Sequence, residues 1–415
     1  MGEEQERGVE AIDATSSRFR TREKDRGGKK TMVKVLYDHQ IFQTQEVGGI
    51  SRYFSELLTR ADASTAELSL KFSCNRHLPY DDPRFRNIEP PTMAVDRFLG
   101  GVSFRGKGRL YDGLRRLQPT FDSADANRVY SLRQLTKGNF DVFHPTYYDP
   151  YFLTDLGDRP FVVTVFDMIH EVFPEFFFPF DPASQNKRLL CERASRIITI
   201  SHTTKADLVR IFGVEEDRIT VVHLASSLRS PLGDRGPWSA APDRYILFTG
   251  NRTLYKNFLF FLRAIAGVLI EKPDLHLVCT GPPFTADELD YFVALGLGDR
   301  VVHIRANDEH LSGLYQRAEV FVFPSMYEGF GLPLLEAFAC RCPAAVSDIA
   351  VFREVAGEAA SYFHPKDANS IADSIRSILA DQNLSDELRE KGLERNRQFS
   401  WQQTFESTRM IYEEF

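Results

Sequence analysis

The sequence predicts an α/β protein built from two doubly wound domains that face one cleft. Three observations predict this. Short apolar runs alternate with helical patterns in two separate series, which implies parallel strands joined by right-handed crossovers. A stretch rich in Pro, Gly and Ser, from Ser226 to Asp243, divides the two series and reads as a linker. The length of 415 residues exceeds one ordinary core and suits two.

In the first series, Met32 to Tyr37 reads as a strand and Asp38 to Val47 as a polar loop. Gly48, Gly49 and Ile50 then lead into a helical pattern from Ser51 to Arg60. Strand, glycine turn and helix form a cradle in which the backbone can approach a diphosphate, although two glycines also suit a plain tight turn. Ala66 to Phe72 reads as a second strand, and Pro79 to Asp122 as irregular or loosely helical. Within it, Arg97, Arg105, Lys107, Arg109, Arg115 and Arg116 are interleaved with apolar residues, the pattern of a solvated helix face, of a contact with an anionic membrane surface or of a hold on an anionic acceptor.

Asp141 to Pro145 and Phe161 to Phe166 read as short buried strands, the second ending in Asp167, Met168, Ile169, His170 and Glu171. Ionisable groups at a strand's carboxyl end can place a sugar hydroxyl or a leaving group. The plainer alternative has Asp167 capping the next turn and His170 packed on the aromatic run Phe173 to Phe180. Arg196 to Ser201 is a further strand, Ser201 to Thr204 a helix cap, and Ile219 to Leu224 closes this half. The domains are thus expected at 32–228 and 243–398, after a disordered leader over residues 1–31, with a C-terminal helix over 399–415 packing back on the first domain.

The second series opens at Tyr245 to Thr249, followed by Gly250, Asn251, Arg252 and Lys256 and a helix to about Ile270. Strands are expected at Leu275 to Thr280, Val301 to Ile304, Val320 to Phe323, Ala344 to Val346 and Ala360 to Phe363. The most informative stretch follows the strand Val320 to Phe323. Glu328 falls in the loop and Glu336 about one turn into a helix, separated by Gly329, Phe330, Gly331, Leu332 and Pro333 among others. Open α/β sheets bind ligands outside their strands' carboxyl ends. First-turn N–H groups there favour a phosphate or hydroxyl oxygen, and a carboxylate accepts paired hydrogen bonds from vicinal hydroxyls. Arg252 and Lys256, at a strand end in the same sheet, are suited to a diphosphate leaving group, one as a planar fork and one as a point charge.

Composition narrows the class. A 43% hydrophobic and 26% charged content is that of a soluble globular protein, and a net charge of -7 excludes a general nucleic-acid binder. The five cysteines form no Cys-x-x-Cys pair, so they read as thiols of a reducing compartment and not as a structural zinc site. With no apolar run long enough to span a bilayer and no signal-peptide core, a cytoplasmic location is expected, with peripheral contact at the inner membrane face through the Arg97 to Arg116 segment as its extension.

From about Met32 to Phe415 the sequence resembles the retaining glycosyltransferases of family 4, which have the GT-B fold of two Rossmann-like domains. The span from Glu328 to Glu336 looks like that family's Glu-x7-Glu signature. The run Gly250-Asn-Arg-x-x-Tyr-Lys-Asn, the glycine turn at Gly48 and Gly49, and the loop at Asp167 and His170 are similar to its other marks. Where many members carry a His directly before the Asp of that loop, this chain has Phe166. The resemblance implies transfer of a hexose, with mannose from its guanosine diphosphate as a candidate, to a glycan or lipid-linked acceptor with the anomeric configuration kept. It implies Arg252 and Lys256 at the diphosphate, Glu328 and His170 at the transferred sugar, Glu336 at the ribose, and backbone amides of Phe330, Gly331 and Leu332 in support. Gly48, Gly49, Asp167, Gly250 and Gly329 complete the donor site. The sequence has no Asp-x-Asp pair, which agrees with a metal-free mechanism, and no cofactor is expected beyond the nucleotide sugar as co-substrate. A same-fold epimerase or phosphorylase, and an inert sugar-nucleotide-binding scaffold, are the competing readings.

Overall fold

The computed structural model describes residues 32–91, 123–178, 180–228, 241–252 and 254–415. The basic segment from Arg97 to Arg116, the leader and most of the linker lie outside these residues. By its contacts the chain divides into Met1–Met32 and one compact unit, Val33–Phe415, which carries the whole fold.

Among the described residues every strand pairing is parallel. In the first half, β1 (Val35–Tyr37), β2 (Ala66–Leu68) and β3 (Val142–His144) form a sheet in the order β2-β1-β3. Next, β4 (Val162–Val165), β5 (Arg196–Thr199) and β6 (Ile219–Val221) form a second sheet in chain order. A bridge between Phe143 and Phe161 joins β3 to the residue before β4, so the two sheets run edge to edge. The second half has one six-stranded sheet, from β7 (Arg244–Phe248), β8 (Leu275–Cys279), β9 (Val301–His303), β10 (Val320–Phe323), β11 (Ala344–Ser347) and β12 (Ser361–Phe363). Its order, β12-β11-β10-β7-β8-β9, reverses direction between β7 and β10. The α/β architecture of doubly wound parallel sheets therefore stands as expected, and the reversal places a binding crevice above the carboxyl ends of β7 and β10.

These strands form because they are continuous apolar runs. Val320, Phe321, Val322 and Phe323 are all buried, as are Val162 to Val165, the pattern of strands covered on both faces by crossover helices. The C-terminal helix Trp401–Tyr412 lies against the helix Gly49–Arg60, and its Tyr412 hydroxyl reaches the Tyr37 hydroxyl at 3.0 Å and His144 Nδ1 at 2.5 Å.

Two local expectations are corrected. Asp38 to Val47 is not an open polar loop: it contains the helix Gln40–Thr44, with Ile41 and Phe42 buried. The buried Asp38 carboxylate organises it, accepting from the Thr146 amide at 2.8 Å, the Thr146 hydroxyl at 2.6 Å and Gln40 Nε2 at 2.7 Å. The helix Ser123–Lys137 has no counterpart in the sequence reading, because its buried positions, Asn127, Ser131 and Leu135, are mostly small and polar. Asn127 Oδ1 accepts from the amides of Lys71 and Phe72, so a polar stripe does the packing an apolar one usually does. Of the cysteines, Cys191, Cys279, Cys340 and Cys342 are buried free thiols and Cys74 is exposed.

Candidate active site

The crevice at the β7–β10 reversal is built from two loops of the second half and closed by elements of the first. After β10, the chain runs through Ser325, Tyr327 and Glu328 to Gly331, which caps the helix Leu332–Ala339 at φ 101°, a left-handed conformation that favours glycine. Pro333 lies in that helix's first turn, where its missing N–H costs nothing. After β7, the chain passes Gly250 and reaches a turn of 3-10 helix at Leu254–Lys256.

These loops bring Lys256 and Glu328 together. Lys256 Nζ lies 2.5 Å from Glu328 Oε1, with both side chains largely shielded from solvent. Ser325 Oγ donates to the same carboxylate oxygen at 2.7 Å, which leaves Oε2 to accept from a ligand's hydroxyls. Burial works against the Lys256 ammonium, but the adjoining Glu328 carboxylate, with Tyr255 and Asp167, outweighs it and holds its pKa above the ordinary value. The group is a permanent cation at neutral pH.

Glu336 sits in the helix that follows and accepts from the Tyr315 hydroxyl at 3.3 Å. Burial pushes its carboxyl up to about 7, against the lowering effects of Arg52 and the Tyr315 hydroxyl and with a further push from Asp308. Arg52 belongs to the glycine-turn helix of the first half and reaches across to Asp308 at 2.7 Å. Gly49 of that turn abuts Leu332, whose Cδ1 would lie 3.2 Å from an added Cβ. At Gly48 the amide already donates to His77 Nε2 at 3.3 Å, and Gln45 Oε1 accepts from the Ser51 amide at 3.2 Å. The cradle expected there is thus lined by the chain's own side chains.

Gly329 lies where the two halves meet closely. A Cβ at this position would stand 1.8 Å from the Phe166 carbonyl oxygen, so only glycine fits. Its own carbonyl accepts from Ser201 Oγ at 2.7 Å and Thr204 Oγ1 at 3.2 Å. Phe330 is buried against His223 and Phe399. Glu354 adds a second tie, accepting from the amides of His202 and Thr203 at 2.8 and 3.0 Å and facing His223 Nε2 at 2.8 Å. His202, His223 and Glu354 are residue types that could hold a metal ion, but the carboxylate is already committed to these partners.

Two expected site residues are engaged with neighbouring side chains. The Arg252 guanidinium donates to Glu288 Oε1 at 2.6 Å and to the carbonyls of Pro282 and Pro283 at 2.9 Å, and it lies over the Phe284 ring. Only 5% of its side chain is exposed; Nε and Nη2 are committed to these partners, while Nη1 is buried with no hydrogen-bond partner among the described residues. Glu288 is the third residue of a capping box on the helix Ala286–Ala294, which fixes it in place to receive the arginine. His170 stacks on Phe177 with ring centroids 3.9 Å apart and faces Asp181, while Asp167 Oδ1 accepts from the Ile169 amide at 3.1 Å. This is the plainer of the two arrangements the sequence allowed. The segment is no open loop, since Ile169–Val172 is a helical turn.

Several residues of the crevice carry roles that the sequence reading did not assign. Tyr327 donates to Asp207 at 2.9 Å and accepts from the Met168 amide at 3.2 Å, tying the two halves. Lys187, with only 1% of its side chain exposed, donates to the Asp167 carbonyl. Its signal was present, for it falls in register with Leu190, Cys191 and Ala194 on an apolar helix face. A cavity of about 640 Å³ beside Arg244, Asp274 and His276 lies at the opposite, amino-terminal ends of β7 and β8 and is not part of this site.

Doubly wound sheets with a carboxylate-bracketed turn at the switch point define a glycosyltransferase of the GT-B class. Residues 47–225 match the family described as Glycosyltransferase Family 4, and residues 237–395 match Glycosyl transferases group 1. An O-antigen chain mannosyltransferase B of Escherichia coli is 30% identical over 381 residues, which are 87% of this chain and 96% of that protein. An O-antigen chain mannosyltransferase of Salmonella typhimurium is 28% identical over 217 residues, 51% of this chain and 59% of that one. Among solved structures, an Anabaena HepE protein in complex with UDP and glucose superimposes with a TM-score of 0.67 at 14% identity, covering 92% of this chain and 100% of that one. A sucrose-phosphate synthase from Thermosynechococcus elongatus gives 0.66 at 19% identity, covering 92% and 98%. The chain belongs to glycosyltransferase family 4. As such it is a hexosyltransferase that draws on a nucleotide sugar. Among the described residues no helix is long and apolar enough to cross a membrane.

Proposed function

We propose that the protein transfers mannose from its guanosine diphosphate to a glycan or lipid-linked acceptor, keeping the anomeric configuration and needing no metal ion or further cofactor. The observation that carries the reading is the Lys256–Glu328 pair at the β7–β10 reversal, with Glu336 in the helix that follows. The choice of mannose is supported by the mannosyltransferase names of the relatives that match.

In this reading Lys256 faces the donor's diphosphate and neutralises the charge that grows on it as the bond from the anomeric carbon to phosphate oxygen breaks. Glu328, held through Oε1, turns Oε2 to the hydroxyls of the transferred sugar. Glu336, when ionised, accepts from the vicinal ribose hydroxyls. The acceptor oxygen forms its new bond on the face the phosphate leaves, and its proton passes to the departing phosphate oxygen. Asp167 lies beside this centre, its Cβ 3.0 Å from where a Cβ on Gly329 would stand. Gly48, Gly49, Gly250 and the amides of Phe330, Gly331 and Leu332 frame the donor, and Arg252 serves by fixing the Gly250 loop through Glu288.

The test is transfer from a panel of guanosine- and uridine-diphosphate hexoses to a mannose-terminated glycan, with and without a chelator. Transfer from the guanosine diphosphate donor, unchanged by chelation, with an axial anomeric product by NMR, is expected. Preference for another donor would reassign the sugar, and an inverted product would refute the mechanism.

A further inference from the structure

We infer that Lys187 is a positioning residue for the transfer reaction, fixing the Phe166–Glu171 turn of the first half against the Glu328 loop of the second. The inference rests on the transferase reading above. The helix Ala183–Arg193 turns a lysine into the core, where its ammonium lies 2.9 Å from Glu171 Oε2 and donates to the Asp167 carbonyl at 2.9 Å. The two side chains are 1% and 4% exposed.

Such a pair is a poor way to gain stability. Taking an ammonium and a carboxylate out of water is costly, and apolar side chains of similar volume are often as stable or more so. Glu171 Oε1 moreover is buried with no hydrogen-bond partner among the described residues. What the pair supplies and an apolar pair cannot is a donor to the Asp167 carbonyl.

That donor completes a set. The Phe166 amide donates to the Tyr148 hydroxyl at 3.1 Å, the Met168 amide to the Tyr327 hydroxyl at 3.2 Å and the Ile169 amide to Asp167 Oδ1 at 3.1 Å. One backbone group of each of Phe166, Asp167, Met168 and Ile169 is thus held by a side chain. The reason for such control is the neighbour: the Phe166 carbonyl presses on Gly329, next to Glu328, where not even a methyl group fits. A turn displaced by a fraction of an ångström moves the Glu328 loop or leaves a gap beside it.

The experiment compares wild type with the double variant Lys187→Met, Glu171→Leu, which removes both charges together and so avoids a buried unpaired one. Three quantities are read: the melting temperature, hydrogen exchange of the 167–171 amides, and the split between kcat and the affinity for nucleoside diphosphate. The expected result is a melting temperature at or above wild type, faster exchange in the turn, and kcat lower by roughly tenfold to a hundredfold, the scale of a small misplacement at a reacting centre. Nucleotide affinity should stay within about threefold of wild type, since the second half holds the nucleotide. Unchanged exchange, or faster exchange with wild-type kcat, would overturn the inference, as would a loss of activity that only tracks loss of folded protein. The exchange measurement needs no turnover, so a wild-type protein that transfers nothing would count against the transferase reading while the turn is still tested.

Discussion

Lys256 Nζ lies 2.5 Å from Glu328 Oε1, although 72 positions separate the two residues in the chain. The sheet order explains the meeting. β7 and β10 are neighbours because the strand order reverses between them, so the loops that follow them open on the same crevice. In the proposed function the cation brought there faces the phosphate that departs and the carboxylate faces the sugar.

Lys256→Ala should therefore lower kcat by about a hundredfold to a thousandfold, the usual cost of removing one group that stabilises developing charge. A stability loss should accompany it, since Glu328 is left shielded with Ser325 as its remaining partner. Steady-state kinetics beside a thermal melt separates the two effects. A variant with wild-type kcat would remove Lys256 from the mechanism.

Glu336 gives a pH dependence with a definite sign. Its carboxyl, pushed up to about 7 mainly by burial, is neutral in the folded protein over a range where the unfolded chain is already ionised. Stability from this group is full below the ordinary carboxylate pKa and is lost as pH rises through about 7. The ribose recognition proposed for Glu336 runs the other way, since the ionised carboxylate is the better acceptor from paired hydroxyls. Donor affinity should accordingly improve as pH rises through about 7, and Glu336→Gln should flatten that profile. Calorimetric titration of nucleoside diphosphate across roughly pH 6 to 8, the window around that carboxyl's raised pKa, checks it. A profile equally steep in the variant would assign the titration to another group.

Arg252 is expected to matter for stability before chemistry. Arg252→Ala leaves Glu288 shielded and without its guanidinium, and removing one partner of a buried pair costs about 3–5 kcal/mol. Denaturant unfolding of Arg252→Ala, Glu288→Ala and the double variant should show losses that are strongly non-additive. Additive losses would mean that the two side chains act independently.

The contrast between Lys256 and Arg252 shows what could be read from the chain. Strand, loop and helix around Glu328 and Glu336 are local, set by an apolar run, glycines and a first-turn proline, and they stand where expected. Lys256 and Arg252 are equally local in sequence, but their partners are not: Glu288 lies 36 positions from Arg252 and is held ready by its own capping box. Nothing near Arg252 announces that. The helix Ser123–Lys137 leaves no apolar period to detect, because Asn127 and Ser131 pack its buried side through hydrogen bonds. Lys187 was legible in principle, as a charge in an apolar stripe, but its role depends on a turn that only the fold brings near.

Gly329→Ala should be damaging out of proportion to one methyl group. The added Cβ would fall 1.8 Å from the Phe166 carbonyl oxygen, a backbone atom that cannot swing aside. Overpacking of this kind costs about 1–3 kcal/mol, and here the strain falls between Asp167 and Glu328, so kcat should drop more than the melting temperature suggests. A fully active, stable Gly329→Ala would show that the two halves do not meet this closely during turnover.

Thermal stability tests most directly whether a nucleoside diphosphate is held at the Lys256–Glu328 crevice. Wild type, Lys256→Ala and Glu336→Gln are each melted with guanosine and uridine diphosphates and their hexose conjugates. A ligand at a hundred times its Kd stabilises the folded state by about 2.7 kcal/mol. The predicted result is a clear shift in wild type with guanosine diphosphate and its mannose conjugate, lost in Lys256→Ala and reduced in Glu336→Gln. No shift with any nucleotide, or an equal shift in all three proteins, would contradict it.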